Sequence, residues 1–524
     1  MRKNAFGANG DRKTVLFRAC FFLAIVASSL LLLIAFVEQF FGDLVQEAAI
    51  YFAVGRGITR GFLPYIDFFE SKPPGIFLVS ALSILLSHSA AFARLAQLLV
   101  IALLPLLVRS GTASISSDLP KRQCSVFFAL AFITGSVIAF FTAAFAGGFQ
   151  VESFGAVFAC AYAVLLLRPI ASRGRILLAS LLIFLALFFK EPFILSVFVL
   201  AVLLLPTPRA FLRLYLYPQV LALCWFAIAL GLLRVLGAYT TLYLPFMLFK
   251  RLAAEPLWLQ GLRVERVAIT LLDFSWVFAL FVLTCMFLPV LLSALRRDRI
   301  RKISFTLLRI LLAGYLLILA AGTTGNFSGR HLVFAVPMIL GFFFLTLRNF
   351  MAPDQKPSHW KKMLFPGFAA LILLLPIEPL TKEVNHLLSG GKLSGYWLTD
   401  EAVARDLDLV LDRCHVERYL YFGISNTSVF GATKHLPLGP LFFLEHYFLE
   451  EDRLTYSMLN NMKRAEVVLF KYEEEFPQRK RTPFYNQMFD EMEKNFVTTP
   501  PLCAEGLTID AENYHLLFRK SLLP

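Results

Sequence analysis

Charge is what this chain is short of. Only 16% of its 524 residues are Asp, Glu, Lys or Arg, against about 25% in ordinary soluble domains, which are also only about 45–50% apolar. Here 58% are hydrophobic, 55 residues are phenylalanine, and the mean hydropathy is +0.68. That balance excludes an ordinary soluble protein. Apolar runs near 20 residues recur along the chain, which makes it a polytopic membrane protein.

Acidic residues are the scarcer sign, 36 against 50 Lys and Arg, for a formal charge of +14. Such a surplus would suit nucleic acid, but in a membrane chain it first reflects basic enrichment of cytoplasmic loops. Nucleic-acid binding is therefore set aside. Cysteines at CxxC or other metal spacing are lacking. Cys20, Cys160, Cys224 and Cys285 lie in apolar stretches, where the thiol packs as a small hydrophobe. Cys414 and Cys503 form the pair in the polar C-terminal region, and can join only if that region is extracytoplasmic. No small-residue cleavage site closely follows the first apolar run, so that run is expected to stay as a signal anchor. Internal repeats and low-complexity tracts are lacking too.

What is present is a polar stretch between apolar ones. Residues 42–74, GDLVQEAAIYFAVGRGITRGFLPYIDFFESKPP, hold Asp43, Glu47, Arg56, Arg60, Asp67, Glu70 and Lys72. Asp43 and Glu47 are four apart and share one face of a helix. Gly61, Pro64 and Pro73-Pro74 make the remainder a structured loop.

Spans are expected at 15–37, 91–108, 125–146, 151–167, 176–190, 192–205, 214–236, 269–295, 304–322, 331–347 and 363–379, about eleven in all. Segment 75–89 has only about 15 apolar residues, marginal for a ~30 Å core, and is read as interfacial or re-entrant. With that choice Arg109, Lys121, Arg122, Arg168, Arg173, Arg175, Arg209, Arg213, the run RRDRIRK (296–302), Arg348, Lys356, Lys361 and Lys362 share the cytoplasmic face. Counting 75–89 as a crossing would invert them. The N-terminus is then cytoplasmic and the C-terminal region outside.

The chain divides at about residue 380. Residues 1–380 form a transmembrane domain with its outer loop at 38–90, and residues 381–524 are far more charged. There RYLYFGI (418–424), EVVLF (466–470) and HLLFRK (515–520) read as short strands between helices. A small extracytoplasmic α/β domain is expected.

Ionisable residues at membrane level usually face a cavity and mark function. On the outer side these are Asp43, Glu47, Asp67, Glu70, Lys72, Arg94, Glu152, Lys190, Arg330 and His331. Each has a plainer role open to it. Asp43 and Glu47 can solvate a helix, Asp67 can hold a turn, and Lys72 can snorkel. Lys190 and Arg330 can anchor at the interface, Glu152 can pair with a cation, and His331 can simply pack. Several carboxylates and cations at one depth nevertheless suit an anionic substrate and a general base.

The pattern E-x3-Y-x9-G-x2-PY-x-D-x4-KPP, from Glu47 through Tyr51, Gly61, Pro64-Tyr65 and Asp67 to Lys72-Pro73-Pro74, resembles the first extracytoplasmic loop of GT-C-fold glycosyltransferases. It is most similar to the dolichyl-phosphate-mannose protein mannosyltransferase-like and aminoarabinose (lipid A) transferase-like bacterial enzymes. Ala48 stands where many members carry a second acidic residue. FQVESFG (149–155), FKEPF (189–193), GRHLVFAVP (329–337), FGISNTSVF and FFLEHYF resemble later pieces of the same family.

The resemblance implies a GT-C-like fold at a bacterial inner membrane and inverting transfer of a sugar from a polyprenyl-phosphate-linked donor. In that family's terms, Glu47 and Glu152 are the catalytic carboxylates. Asp67, Lys72, Lys190, Arg330 and His331 bind substrate, with Lys72 on the donor phosphate. Sugar, acceptor and metal dependence stay open, a divalent cation being the one cofactor for which there is room. The competing reading is a transporter or lipid-glycan flippase, which would carry its ionisable groups near mid-membrane.

Overall fold

The computed structural model describes residues 5–41, 46–116, 121–145, 148–168, 172–251, 259, 262–295, 300–322, 329–351, 359–389, 401–423, 427–443, 452–471, 483–507, 509 and 514–523. Helix α1 (Ala5–Phe41) leads to the polar stretch, which forms α2 (Gln46–Thr59), a loop, and α3 (Gly75–Ser87). Next come α4 (Ala91–Ile115), α5 (Lys121–Phe145), α6 (Val151–Leu166), α7 (Arg173–Phe189) and α8 (Phe193–Leu204). Both α9 (Pro208–Leu232) and α10 (Leu236–Leu248) contain π-helical turns. The bundle continues with α11 (Val264–Phe274), α12 (Trp276–Leu295), α13 (Ile300–Gly322) and α14 (Arg330–Met351). It ends with α15 (His359–Leu374) and α16 (Ile377–Leu388).

Each expected span coincides with helix. Among the described residues eight stretches are long and apolar enough to cross a membrane: α1, α4, α5, α9, α12, α13, α14 and α15 joined to α16. The segments expected at 151–167, 176–190 and 192–205 are shorter, as α6, α7 and α8 have 16, 17 and 12 residues. At 1.5 Å per residue α8 rises about 18 Å, well short of a hydrocarbon core. Thirteen of the 16 residues of α6 and eight of the 12 of α8 are buried. A helix largely covered by protein in this way need not match the thickness of the lipid. Helix α3, expected not to cross, has 13 residues and packs on α2.

The span expected as one helix at 269–295 is two. Ser275 is extended (φ −165°, ψ 125°) and separates α11 from α12. Glu378 on α16 accepts from Ser275 Oγ at 2.8 Å and from the Trp276 and Val277 amides at 3.3 and 3.1 Å. Those amides have no partner within α12. Lys382, one turn along, donates to the Asp273 and Phe274 carbonyls at 2.9 and 3.0 Å, capping the end of α11. Glu378→Ala strips the cap from α12, and we expect it to lower unfolding stability by about 1–2 kcal/mol. Thermal denaturation in one detergent checks this; an unchanged midpoint would mean that the break is held by packing alone.

The C-terminal elements are α17 (Glu401–Arg413), β1 (Arg418–Phe422), α18 (Val429–Ala432) and β2 (Leu436–Pro437). They continue with α19 (Asp452–Arg464), β3 (Val467–Lys471), α20 (Pro483–Asn495), β4 (Phe496–Val497) and β5 (Tyr514–Arg519). The strands form one sheet in the order β2-β1-β3-β5-β4. Strand β1 is parallel to β2 and β3, and β5 is antiparallel to β3 and β4. The three strands expected from their β-branched and aromatic runs are its centre. The other two are two-residue edges, too short to show a period. Tyr419, Leu420, Val468 and Leu469 are fully buried, and helices α19 and α20 add Met458 and Tyr485 to this core. Cys414, just past α17, is disulfide-bonded to Cys503.

Candidate active site

Helix ends hold the charges of the site. Glu47 lies in the first turn of α2 and Glu152 in the first turn of α6, where the positive end of the helix dipole favours a carboxylate. Lys190 is the C-cap of α7, where a cation is favoured. The Lys190-Glu191-Pro192 turn then starts α8, the Phe193 amide donating to the Lys190 carbonyl.

Packing of these ends builds two ion pairs, and the loop between α2 and α3 adds a third. Arg330, at the start of α14, pairs with Glu47 through Nη1 and Oε1. Lys190 Nζ lies 4.0 Å from Glu152 Oε1, and Lys72 Nζ lies 3.5 Å from Glu70 Oε1. Glu152 and Lys190 are only 1% and 2% exposed, and Glu70 and Lys72 only 3% and 5%. Charges at that depth persist only when paired, so snorkelling does not describe Lys72. Second oxygens of Glu70 and Glu152 lack a hydrogen-bond partner.

Tyr51 links Glu47 to the residue that leads into α6. It stands one turn after Glu47 on α2, and its hydroxyl lies 3.5 Å from Glu47 Oε2 and 3.3 Å from Gln150 Oε1. Gln150 is the extended residue before α6. Burial alone would raise the Glu47 carboxyl. Lys72, Arg330 and Lys190 outweigh it and, with the Arg330 hydrogen bond, hold the group well below the usual carboxylate range. Glu47 is therefore ionised at any physiological pH.

The expected residues separate into those gathered here and those placed elsewhere. Glu47, Lys72, Glu152, Lys190 and Arg330 act on one another. His331 is buried beside Arg330 and stacks on Phe334 at 6.1 Å. Asp67 sits in a turn of the loop, its Oδ2 accepting from the Leu63 amide at 2.7 Å and its own amide donating to the Leu63 carbonyl at 2.9 Å. That is the turn-holding role open to an aspartate. Arg94 donates to the Phe40 carbonyl at 2.8 Å, tying α4 to α1. Asp43, residues 323–328 before the α14 turn, and parts of the two C-terminal pieces (424–426 and 444–450) lie outside the described residues. Among the described residues no three His, Cys, Asp or Glu side chains converge as metal ligands.

Several members of the site escaped the reading of the sequence. Tyr51 and Gln150 stand there only as letters of a motif, without a role. Glu191 was passed over for its neighbour Lys190, yet it accepts from the Tyr239 and Tyr243 hydroxyls at 2.9 and 2.6 Å. Those tyrosines are four apart on α10, a spacing that marks one helix face. Tyr65, in the left-handed region at φ 66°, packs on both at ring-centroid distances of 5.6 and 5.0 Å. Its hydroxyl donates to the Lys72 carbonyl at 2.7 Å. A bulky side chain at positive φ is strained, and this bond with the tyrosine packing holds it there.

An apolar cleft of about 460 Å³ adjoins the cluster, walled by α11, α12 and α13 through residues such as Val267, Leu271, Val282, Met286 and Ile318. Leu332 and Ala335, on the 3-10 turn that carries Arg330, complete the lining. The polar cluster and the apolar cleft thus share one turn.

No protein-family model and no curated protein sequence matches the chain. Among solved structures it is similar to ArnT from Cupriavidus metallidurans bound to undecaprenyl phosphate, at 13% identity and a TM-score of 0.49, over 95% of this chain and 98% of that one.

Proposed function

We propose that the chain is an integral membrane glycosyltransferase that moves a sugar, with inversion, from a polyprenyl-phosphate-linked donor to an acceptor at the extracytoplasmic face. The observation that carries this is the shared turn. Arg330 lies in a cluster with Lys72 and Lys190, while Leu332 and Ala335 two to five residues on line an apolar cleft. A ligand matching both is a phosphate on a long apolar tail. The membrane is that of a bacterial cell, the N-terminus cytoplasmic. The C-terminal domain packs on the 56–69 stretch, so the loop and that domain share one side, which in this reading is the outer one.

In this reading Lys72, Lys190 and Arg330 hold the donor phosphate. Transfer forms a bond from the acceptor oxygen or nitrogen to the anomeric carbon as the carbon–oxygen bond to phosphate breaks. The leaving phosphate gains charge, which nearby cations stabilise in a water-poor site. The acceptor's proton goes to Glu47. Held by Arg330, Glu47 is a weak base; as Arg330 turns to the phosphate, the carboxylate loses that bond and its basicity rises. Glu152 keeps Lys190 in place from the far side.

Mass spectrometry of envelope glycans with and without the gene tests the reading. A modification lost on deletion and restored by the wild-type gene, but not by Glu47→Gln, is expected. Unchanged glycans on deletion would sink the transferase, and restoration by Glu47→Gln would remove Glu47 from the chemistry. Because its carboxyl is held low in the substrate-free protein, kcat/KM for the donor is expected to show no Glu47-dependent loss from pH 8 down to about pH 5. A carboxylate with an ordinary or raised pKa would begin to lose activity inside that window.

A further inference from the structure

The C-terminal domain does more than sit beside the membrane bundle. Four contacts tie it to the loop between α2 and α3, and all fall on residues 62–69, the backbone that leads to Lys72. Phe69 donates its amide to the Pro440 carbonyl at 2.8 Å. Phe68 meets Phe442 edge to face, centroids 5.4 Å apart. The Arg418 guanidinium lies over both Phe62 and Phe68, at 5.0 and 5.5 Å from the ring centres. Gly439 packs so closely on the Asp67 carbonyl that a Cβ there would collide with its oxygen. Beside them, Arg56 and Arg60 on and just after α2 donate to the Phe430 and Lys434 carbonyls at 3.2 and 2.6 Å.

The domain end of this contact is rigid. Arg418 opens β1 and also donates to the Pro437 carbonyl at 2.7 Å. The Leu438 amide donates to the Tyr419 carbonyl at 2.7 Å, and Asn461 on α19 donates to the Gly439 carbonyl at 2.9 Å. On the loop end, the Tyr65 amide donates to the Phe68 carbonyl at 2.7 Å, and the Tyr65 hydroxyl to the Lys72 carbonyl. An unbroken path therefore runs from the sheet through residues 437–440 and 65–69 to Lys72.

We propose that the C-terminal domain is a positioning element of the active site: Gly439, Pro440 and Arg418 clamp the 62–69 loop so that Lys72 is held against the substrate phosphate. The phosphate half of this statement rests on the proposed function; the clamp itself does not.

Amide hydrogen exchange on the full chain in lipid nanodiscs tests it, with Gly439→Ala and Arg418→Leu compared with the wild type. Exchange at Tyr65, Asp67 and Phe69 is expected to speed up about tenfold or more, with the Leu469 and Leu516 sheet amides still protected. Binding of a polyprenyl phosphate is expected to weaken by about tenfold in the same variants. Unchanged loop exchange in both variants overturns the clamp. A loosened loop with full polyprenyl-phosphate affinity overturns its role in holding Lys72. If the wild type binds no polyprenyl phosphate while the loop still loosens, the clamp stands and the transferase reading falls. Should Gly439→Ala lose sheet protection, Arg418→Leu alone decides, since its side chain is only half-buried at the edge of β1.

Discussion

Replacing Lys72 should lower sugar transfer by about 10²–10³-fold, the usual cost of removing one group that stabilises developing charge in a preorganised site. Lys72 Nζ is 3.5 Å from Glu70, a loose pair for an ammonium with three donors, so it can engage a phosphate without leaving its place. A single Lys72→Met change also strands the Glu70 carboxylate, which is 3% exposed. An uncompensated charge at that depth costs about 3–5 kcal/mol, and an inactive protein would then prove little. The double variant Glu70→Gln/Lys72→Met removes both charges at similar volume. It should unfold within about 1–2 kcal/mol of the wild type and still lack transfer. Activity in the double variant would show that Lys72 serves only to neutralise Glu70. The donor's KM and the turnover number, measured separately in partly active variants, show whether the loss lies in binding or in the transition state.

Breaking the Cys414–Cys503 bond should destabilise the C-terminal domain by about 2–5 kcal/mol. The two residues are 89 apart in sequence, a long loop whose closure removes much freedom from the unfolded chain. They join the end of α17 to the 3-10 turn Leu502–Ala504, linking two ends of the domain. The bond also reports compartment, because such bridges persist in oxidising surroundings. Alkylation of the unfolded protein should label five cysteines before reduction and two more after it, Cys20, Cys124, Cys160, Cys224 and Cys285 being the unbridged ones. Labelling of all seven without reduction would place the domain on the reducing side. Cys414→Ser/Cys503→Ser should show the stability loss in denaturant unfolding; because β1 carries Arg418 and lies four residues from Cys414, the clamp should loosen with it.

Much of this architecture is local chemistry. Apolar runs become helices because a membrane leaves the backbone no other partner, and hydropathy is read one segment at a time. The strands at 418–424, 466–470 and 515–520 are legible for the same reason, as short runs of buried β-formers. So were Glu47, Lys72, Glu152, Lys190 and Arg330, since ionisable residues at span ends are few enough to stand out.

What the sequence by itself determined is the membrane bundle, the sheet domain after it, and a short set of charged residues near the span ends. Only the tertiary structure decided how those charges pair. Glu47 meets Arg330, and Glu152 meets Lys190, because the ends of α2, α6, α7 and α14 come together, and no spacing along the chain encodes that meeting. The same holds for the break at Ser275, made by a carboxylate 103 residues away, and for Gly439 against Asp67. Hydropathy is a property of a segment, whereas an ion pair, a helix cap and a close backbone approach are properties of two segments that folding brings into contact.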